Sequence, residues 1–457
     1  MRYRRREFHP DADYAALVDH LLERVAGDAL ELCWNGDVLD FDAPWVKDGG
    51  SSFDEYPLDD AGCAGQAARI LEGHPAWCAA TARLLLAGHR LLVLSGNHDL
   101  ALCWPGVRRA IRDVLGAHAA GEAARLGLPP AAMAALDLEA QVRFRAWFHV
   151  TEDRIYLEHG SQYDQFAGVH HAMIPLTRGR DRLHPVFSNL AFKRTGSRMG
   201  YFNPYYEETF YLGFSGYMRH FWAHYARSSR RHIVRVWFLG GLRTVAEIWR
   251  HRGVEDRAAE ARALACAETG ASPEAVDAMR ALAVPSAEQR MIPILRELWL
   301  DRAALLLLVL AGAGIALAVG GRLAGAAVGL ALVALLAVYE ALTPKPDLRT
   351  YDSAPPSVKG IFDIHGARAI CMGHTHRPFG AWDGERFHGN SGSWAPAFED
   401  AECARPVLPR RPVLMLVTEP PATGAALGEL HGGLFWWDEG ELAADPMGAR
   451  SRSSGPG

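Results

Sequence analysis

The sequence predicts a mixed α/β fold that is divided by a long helical insertion. Four short apolar strands each run into a polar cluster, and segments with helical patterns lie between them. Strands that alternate with helices are typical of layered α/β sheets, which place ligands at the carboxyl ends of their strands. Residues 165–350 contain no such strand and are rich in arginine, aromatic residues and alanine. We therefore expect one α/β core built from two separated parts of the chain.

The polar clusters that follow the four strands define the expected site. A single histidine at a strand end carries little information, whereas one aspartate, one asparagine and four histidines in such positions form a constellation. The units are 30–34 followed by N-G-D at 35–37, 91–94 followed by S-G-N-H-D at 95–99, 154–157 followed by E-H-G at 158–160, and 367–371 followed by M-G-H-T-H at 372–376.

Charge and cysteine content exclude some classes of protein. The net charge of -5 over 457 residues argues against a general nucleic-acid binder, which usually has a strongly basic domain. The seven cysteines are scattered and form no C-x-x-C pair, so neither a zinc ribbon nor a disulfide framework is indicated. A reducing, cytosol-facing location is the simpler interpretation. We expect no nucleic-acid partner.

Two apolar segments, 303–320 and 323–340, are predicted to cross a membrane as a helical hairpin. Gly321 and Arg322 interrupt the apolar run, and each half is close to the lower limit of roughly 17–25 residues for a spanning helix. A buried hairpin in a soluble core is the alternative. It is disfavoured because soluble core helices rarely run this long without polar residues.

Two spans would return the chain to the side from which it left, so the early and late polar clusters can share one compartment. A single span would separate them and make a joint site impossible. The region before the apolar segments is rich in arginine, which by the positive-inside tendency places the site in the cytoplasm. We expect an inner- or plasma-membrane protein with a cytoplasmic catalytic domain.

The residue types of the constellation suit phosphoester hydrolysis at two metal ions. Such a site neutralises phosphate charge and activates a water, with ions roughly 3.5–4 Å apart. A bridging carboxylate is its natural centre, and imidazole and amide groups complete the coordination. A further histidine that binds no metal can protonate the leaving group.

The motifs resemble, in chain order, those of the calcineurin-like metallophosphoesterases. They are G-D-V-L-D at 36–40, G-N-H-D at 96–99, H-G at 159–160 and G-H-T-H at 373–376, and the resemblance covers about residues 11–164 and 360–420. It implies a four-layer β-sandwich flanked by helices. The expected organisation is a first part at 1–164, the insertion at 165–350, a second part at 351–440 and a disordered tail at 441–457.

The resemblance also implies a role for each site residue. Asp37 would bridge two divalent ions, which could be Mn, Fe, Zn or Mg. His98 would act on the leaving group, with Asp99 orienting its ring, and Asp40 is expected to support the site rather than bind metal. The remaining metal ligands would be Asn97, His159 and His374 at the second ion and His376 at the first.

The family's first motif, a strand that ends in Asp-x-His and supplies two ligands to the first ion, has no counterpart before Asp37. Either the printed start is internal to a longer protein, or the first ion keeps only Asp37 and His376. We favour the internal start, because the helix that normally follows this motif is predicted and the other motifs are intact.

Two functions remain open at this stage. The leading hypothesis is a membrane-attached hydrolase of a phosphomonoester, phosphodiester or pyrophosphate, with a small-molecule or lipid-linked substrate. The alternative is a membrane scaffold that binds one metal or a phosphorylated ligand without turnover.

Overall fold

The computed structural model describes most of the chain. The described residues are 10–25, 27–42, 46–47, 50–51, 58–179, 181–184, 186–196, 218–228, 231–251, 256–343, 356–395, 397–398, 406–407, 410–421 and 427–450.

Helices and strands alternate in the first and last parts of the chain, whereas the middle of the chain is helical. The first part contains α1 (Asp11–Val25), β1 (Glu31–Asn35), β2 (Val46–Lys47), β3 (Gly50–Ser51), α2 (Asp60–Glu72), α3 (Pro75–Leu86), β4 (Arg90–Leu94), α4 (Pro105–Arg125), α5 (Pro130–Ala134), α6 (Leu138–Gln141), β5 (Val142–Arg145), β6 (Phe148–Val150), β7 (Ile155–Glu158) and α7 (Phe187–Ala191). The remainder contains α8 (Ile233–His251), α9 (Ala258–Thr269), α10 (Pro273–Leu282), α11 (Met291–Glu297), α12 (Leu300–Leu342), α13 (Pro356–His365), β8 (Ala369–Met372), β9 (Phe379–Asp383), β10 (Arg386–Asn390), β11 (Ala397–Phe398), β12 (Pro406–Val407), β13 (Arg411–Thr418), β14 (Leu430–Asp438) and β15 (Glu441–Arg450).

The first sheet consists of three parallel strands in the order β1-β4-β5. Residues of β4 such as Leu91 and Val93 are buried against the helices α1 to α4. Tyr14 of α1 stacks on Trp77 of α3, and its hydroxyl is hydrogen-bonded to Thr81 at 2.9 Å. These contacts fix the carboxyl ends of β1 and β4, and therefore the two loops that carry the first site motifs.

The second sheet has five strands in the order β6-β7-β8-β10-β9. The central pairs β7–β8 and β8–β10 are parallel, and the outer pairs are antiparallel. One face is covered by α9, α10 and α13, which bury Val276, Met279 and Ile361 completely. Part of the sequence predicted as an insertion therefore packs directly on the sheet that carries the last two site motifs.

A third, antiparallel sheet of β13, β14 and β15 packs on the second sheet through Leu414, Leu416 and Leu430. It corrects the prediction of a disordered tail at 441–457, because residues 441–450 form β15 and pair with β14. The prediction of disorder used only the Ser/Gly/Arg-rich composition of the tail. The strand β15 forms because it pairs with β14 in an antiparallel hairpin, which composition does not reveal. Residues 451–457 lie outside the described residues.

The helix α12 is the one described helix that is long and apolar enough to cross a membrane, by its length and composition. It covers both predicted apolar segments, and its backbone is non-helical at Gly321, with φ 80° and ψ -174°. Arg302 Nε donates to Glu340 Oε2 at 2.7 Å, and the Tyr339 hydroxyl donates to Asp301 Oδ2 at 2.6 Å. The structure is therefore mixed α/β with several sheets and one long, interrupted apolar helix.

The imidazole of His388 in β10 gives a prediction for stability against pH. Burial lowers its pKa to about 4, against about 6.5 in an unfolded chain. The folded state therefore favours the neutral ring, and this contribution to stability is present above about pH 6.5 and is lost as the pH falls towards 4. The variant His388→Leu should show a shallower loss of stability across this window than the parent protein, measured by urea unfolding in detergent from pH 8 to 4. Equal pH dependence in the two proteins would contradict the assignment.

Candidate metal centre

Two glycines allow three loops of the site to approach one another. Gly36, which follows β1, has φ 81°, and a Cβ at this position would clash with the ring of His159. A Cβ at Gly96, which follows β4, would clash with the carboxylate of Asp37. Asp37 itself has φ 57°, a left-handed conformation that is rare for residues other than glycine and is concentrated at functional sites.

The loops bring together the carboxylate of Asp37 and the imidazoles of His159 and His374. Their potential ligand atoms lie within 4.8 Å of one another. His159 Nε2 is 3.0 Å from Asp37 Oδ2 and 3.3 Å from Asn97 Oδ1, so the asparagine amide belongs to the same group. Asn97 and His159 are almost fully buried. The four residues predicted to surround the second ion thus form one cluster.

Both imidazoles are oriented as metal ligands usually are. His159 Nδ1 donates to the carbonyl oxygen of Asn35 at 2.9 Å, and its Nε2 faces the Asp37 carboxylate and the side-chain oxygen of Asn97. His374 Nε2 donates to Asp164 Oδ2 at 3.1 Å, and its buried Nδ1 has no hydrogen-bond partner among the described residues. A histidine that binds metal typically donates its other ring N–H to a carbonyl or carboxylate. These donors therefore fit a divalent metal ion.

His98 lies beside this cluster and is held by carboxylates on two sides. Its backbone N–H donates to Asp37 Oδ1 at 2.7 Å, and its ring Nδ1 lies 2.8 Å from Asp42 Oδ2 and 3.8 Å from Asp40 Oδ1. Burial disfavours the charged ring, but the carboxylates of Asp37, Asp42 and Asp40 outweigh it and raise the pKa of His98 to about 10. The ring is therefore an imidazolium at neutral pH.

The prediction that Asp99 orients the ring of His98 is wrong, because Asp42 makes this contact. Asp99 is 1% exposed and accepts hydrogen bonds from the backbone N–H groups of Gly96 and Val38. Burial and the nearby carboxylate of Asp37 raise the pKa of Asp99 to about 7. Asp99 therefore holds the loop after β4 against the loop after β1. Its effect on the site is to position these two loops.

His376 lies in the loop after β8 but outside the cluster of Asp37, His159 and His374. Its backbone N–H donates to the carbonyl of Gly373 at 3.0 Å, and its φ is 57°. It lines the same cavity as the cluster. The structure thus keeps His376 near the site without placing it in the preformed ligand set. Asp40 Oδ1 lies 3.8 Å from His98 Nδ1, and with Asp42 these residues form a second group that could hold a metal ion.

Three carboxylates at the site were not predicted from the sequence. Asp42 is fully buried against His98, and Asp164 holds His374. Glu297, at the end of α11, is close enough to Asp164 that burial and this second carboxylate raise its pKa to about 7. Asp42 and Asp164 follow recognised motifs by two and four residues, which was the available signal. Glu297 belongs to the predicted insertion, far along the chain from every motif, and no sequence signal marks it.

The insertion supplies one wall of the site. Asn189 Nδ2 of α7 donates to the carbonyl oxygen of Asn97. In the π-helical segment Phe192–Gly196, the ring of Phe192 meets the ring of His98 edge-on, with centroids 5.5 Å apart. Lys193 in the same segment is 3% exposed, and its charge acts on the buried carboxyl of Asp42. The insertion therefore contacts the residues expected to perform the chemistry.

A large cavity extends from the site between β1 and β13. Within the described residues β1 pairs only with β4, and β13 pairs only with β14, so each has an open edge. Both strands line the cavity along most of their length, together with Leu17 and Leu21 of α1 and Leu157 of β7. The helix α1 packs against Leu30 next to β1 and against Val413 and Met415 of β13, and so it bridges the gap.

No protein-family model, curated protein or solved structure matches this chain. The functional argument therefore rests on the site itself.

The role of Asp99 can be tested by stability. The variant Asp99→Ala should lower the free energy of unfolding by at least ~2 kcal/mol, because two backbone N–H groups lose their acceptor in a buried site. Urea unfolding in detergent measures this, with Glu23→Ala on the exposed face of α1 as the control that should stay within about 0.5 kcal/mol. A loss no greater than that of the control would show that Asp99 does not hold the two loops.

Proposed function

We propose that this protein is a membrane-attached, metal-dependent phosphoesterase that hydrolyses a phosphomonoester, phosphodiester or pyrophosphate bond. The observation that carries the proposal is the cluster of Asp37, Asn97, His159 and His374, in which one nitrogen of each imidazole is anchored to a carbonyl or carboxylate oxygen and the other is left for the cluster. An ordinary buried histidine cluster has no need to orient both rings in this way. The resemblance of the four motifs to metallophosphoesterases supports the same conclusion independently.

The residues around the cluster divide the chemical work. A bound divalent metal supplies neutralisation of phosphate charge and an activated water. Asp37, Asn97, His159 and His374 would hold it. His98 carries a proton at neutral pH because the surrounding carboxylates raise the pKa of its ring. With Nδ1 donating to Asp42, the proton on Nε2 is the one that can pass to a leaving alkoxide.

The cavity between β1 and β13 supports the expectation of an additional strand. A strand that precedes α1 would be joined to β1 through a helix, which is the kind of connection that neighbouring parallel strands need. The cavity lies where that strand would pair with β1 on one side and β13 on the other. Its carboxyl end would then reach Asp37 and His376, where an Asp-x-His motif would complete the coordination of a first metal ion.

The membrane part of the proposal rests on α12. Arg302 and Glu340 are 38 residues apart, and a straight helix would separate them by roughly 57 Å, yet they are hydrogen-bonded. We infer that the chain folds back at Gly321 and that 303–320 and 323–340 form the two spans of a hairpin. The arginines in the segment before it favour a cytoplasmic position for the site.

A membrane scaffold that binds one metal or a phosphorylated ligand without turnover is the second candidate. The observation that favours it is the position of His376 outside the cluster of Asp37, His159 and His374, which by itself offers ligands for one ion. The number of metal ions per chain separates the two candidates, since two ions favour the enzyme and one or none favours the scaffold.

The enzyme proposal is tested with purified protein, Mn²⁺ and the model substrate bis(p-nitrophenyl) phosphate. The variant His98→Asn should lower kcat by about 10²–10⁴-fold, because it removes the proton donor but no metal ligand. The variants His159→Ala and His374→Ala should lose bound metal as well as activity. Release of p-nitrophenol and metal content by mass spectrometry are the two measurements.

The control variant is Asp113→Ala, on the exposed face of α4 and outside the cavity lining, which should leave activity and metal content unchanged. Protein that binds two ions per chain and yet hydrolyses no phosphoester would contradict the enzyme proposal. Equal loss of metal in His98→Asn and His374→Ala would contradict the assigned division of roles.

The added strand gives a separate prediction. A polypeptide that extends upstream of Met1 and carries a strand ending in Asp-x-His should retain two metal ions per chain through dialysis, whereas the 457-residue chain should lose one of its two ions because that ion has fewer protein ligands. It should also protect Cys33, which lines the cavity, from alkylation by N-ethylmaleimide. Metal analysis and mass spectrometry of the alkylated protein measure the two effects, and an extended form that leaves both unchanged would contradict the prediction.

A further inference from the structure

The helix α8 exposes a stripe of apolar side chains that no described residue covers. Val234, Phe238 and Leu242 are spaced at four-residue intervals and are 64%, 40% and 45% exposed. Trp249 continues the same face and is also exposed. A second exposed ridge lies directly beside this stripe and consists of Arg235, Arg243 and Arg250. An apolar stripe bordered by arginines is typical of helices that lie in the plane of a membrane surface.

The opposite face of α8 is packed against the rest of the protein. Ile248 is 1% exposed among Phe187, Ile294 and Leu298, and the indole N–H of Trp237 donates to the carbonyl oxygen of Leu298 at 3.3 Å. Gly240 lies so close to Thr195 that a Cβ would clash with it. The orientation of α8 is therefore fixed, and its apolar stripe points away from the core.

The polar residues where the two ends of α12 meet, here called the base of α12, indicate where α8 lies relative to the proposed bilayer. Asp301, Arg302, Tyr339 and Glu340 form a hydrogen-bonded polar group at this end of the apolar helix. The guanidinium of Arg302 lies 5.2 Å from the ring centre of Trp299. Ionisable and aromatic side chains at the end of an apolar span mark the interfacial layer. Because α8 packs on Leu298, next to this base, a bilayer crossed by α12 would bring its headgroup layer to the level of α8.

We propose that α8 is a membrane-surface helix, whose apolar stripe enters the headgroup layer of an anionic bilayer while its arginines contact lipid phosphates. This rests on the proposed membrane attachment through α12 and not on phosphoester hydrolysis. The packing of α8 beside the base of α12 and the positive charge next to the stripe favour a bilayer over a second copy of the chain, which would bring the arginine ridges of two copies together.

The arrangement connects the membrane surface to the site through one short segment. Gly240 and Gly241 lie on the buried side of α8, and Gly240 meets Thr195 and the carbonyl of Arg194. The same π-helical segment carries Phe192 against His98. Because one short segment contacts both α8 and His98, the substrate class that suits this geometry is a membrane-borne phosphoester.

The test is photo-crosslinking of the full chain in vesicles of phosphatidylcholine and phosphatidylglycerol in a ratio of about 3:1, an anionic surface of the kind that attracts basic helices. A benzophenone amino acid replaces Phe238 or Leu242 in α8. Leu307 in α12, which is 63% exposed, serves as the positive control, and Leu126 at the end of α4, which is 47% exposed, as the negative control. Mass spectrometry identifies lipid adducts, and gel electrophoresis identifies crosslinked protein dimers.

Lipid adducts at 238 and 242 with a yield within about 3-fold of that at 307, and none at 126, are the expected result. The combined variant Arg235→Gln, Arg243→Gln and Arg250→Gln should lower the yield at 238 at least several-fold while leaving that at 307 unchanged. Adducts at 307 together with dimers or no product at 238 would overturn the proposal and leave the membrane attachment intact. Hydrolytic activity is not part of the readout, so the two proposals succeed or fail separately.

Discussion

The close approach of the Asp37 carboxylate to the neighbouring loops is the contact on which the site depends. Asp37 accepts the backbone N–H of His98 and lies 3.0 Å from His159, so one side chain joins the loops after β1, β4 and β7. This is possible only because Gly36 and Gly96 carry no Cβ. Burial alone would raise the pKa of Asp37, but the imidazoles of His159 and His98 hold it well below the usual range. The carboxylate is therefore ionised where a cation would bind.

The sequence was sufficient to predict the strands that carry the site and most of its residues. The strands expected at 30–34, 91–94, 154–157 and 367–371 are found at 31–35, 90–94, 155–158 and 369–372. Short apolar runs that end in glycine-containing polar clusters are a local signal, which explains why they could be found without a structure. The helix expected between the missing first motif and Asp37, and a helix expected between the first two strands, are likewise present as α1 and α3.

Contacts between segments distant in the chain were not predictable in the same way. The partner of His98 is Asp42 and not its sequence neighbour Asp99, because the choice depends on how two loops pack. The strand β15 forms in a segment whose composition predicted disorder, because its backbone pairs with that of β14. Glu297 and Phe192 reach the site from the insertion, and no motif marks them. The partner of His98, the formation of β15 and the positions of Glu297 and Phe192 all depend on packing between distant segments rather than on local propensity.

The insertion is part of the unit that forms the candidate site rather than an attachment to it. Its helices α9 and α10 bury Val276 and Met279 against the second sheet, so removing them would expose the core beneath the His159 and His374 loops. Its segment 187–196 contacts Asn97 and His98, and α8 packs against the same segment through Gly240. Because Gly240 of α8 lies against Thr195 of that segment without room for a Cβ, a displacement of α8 would press on the same segment that contacts His98. If α8 lies on a membrane surface as we propose, the position of the bilayer and the shape of the site would be linked through this contact.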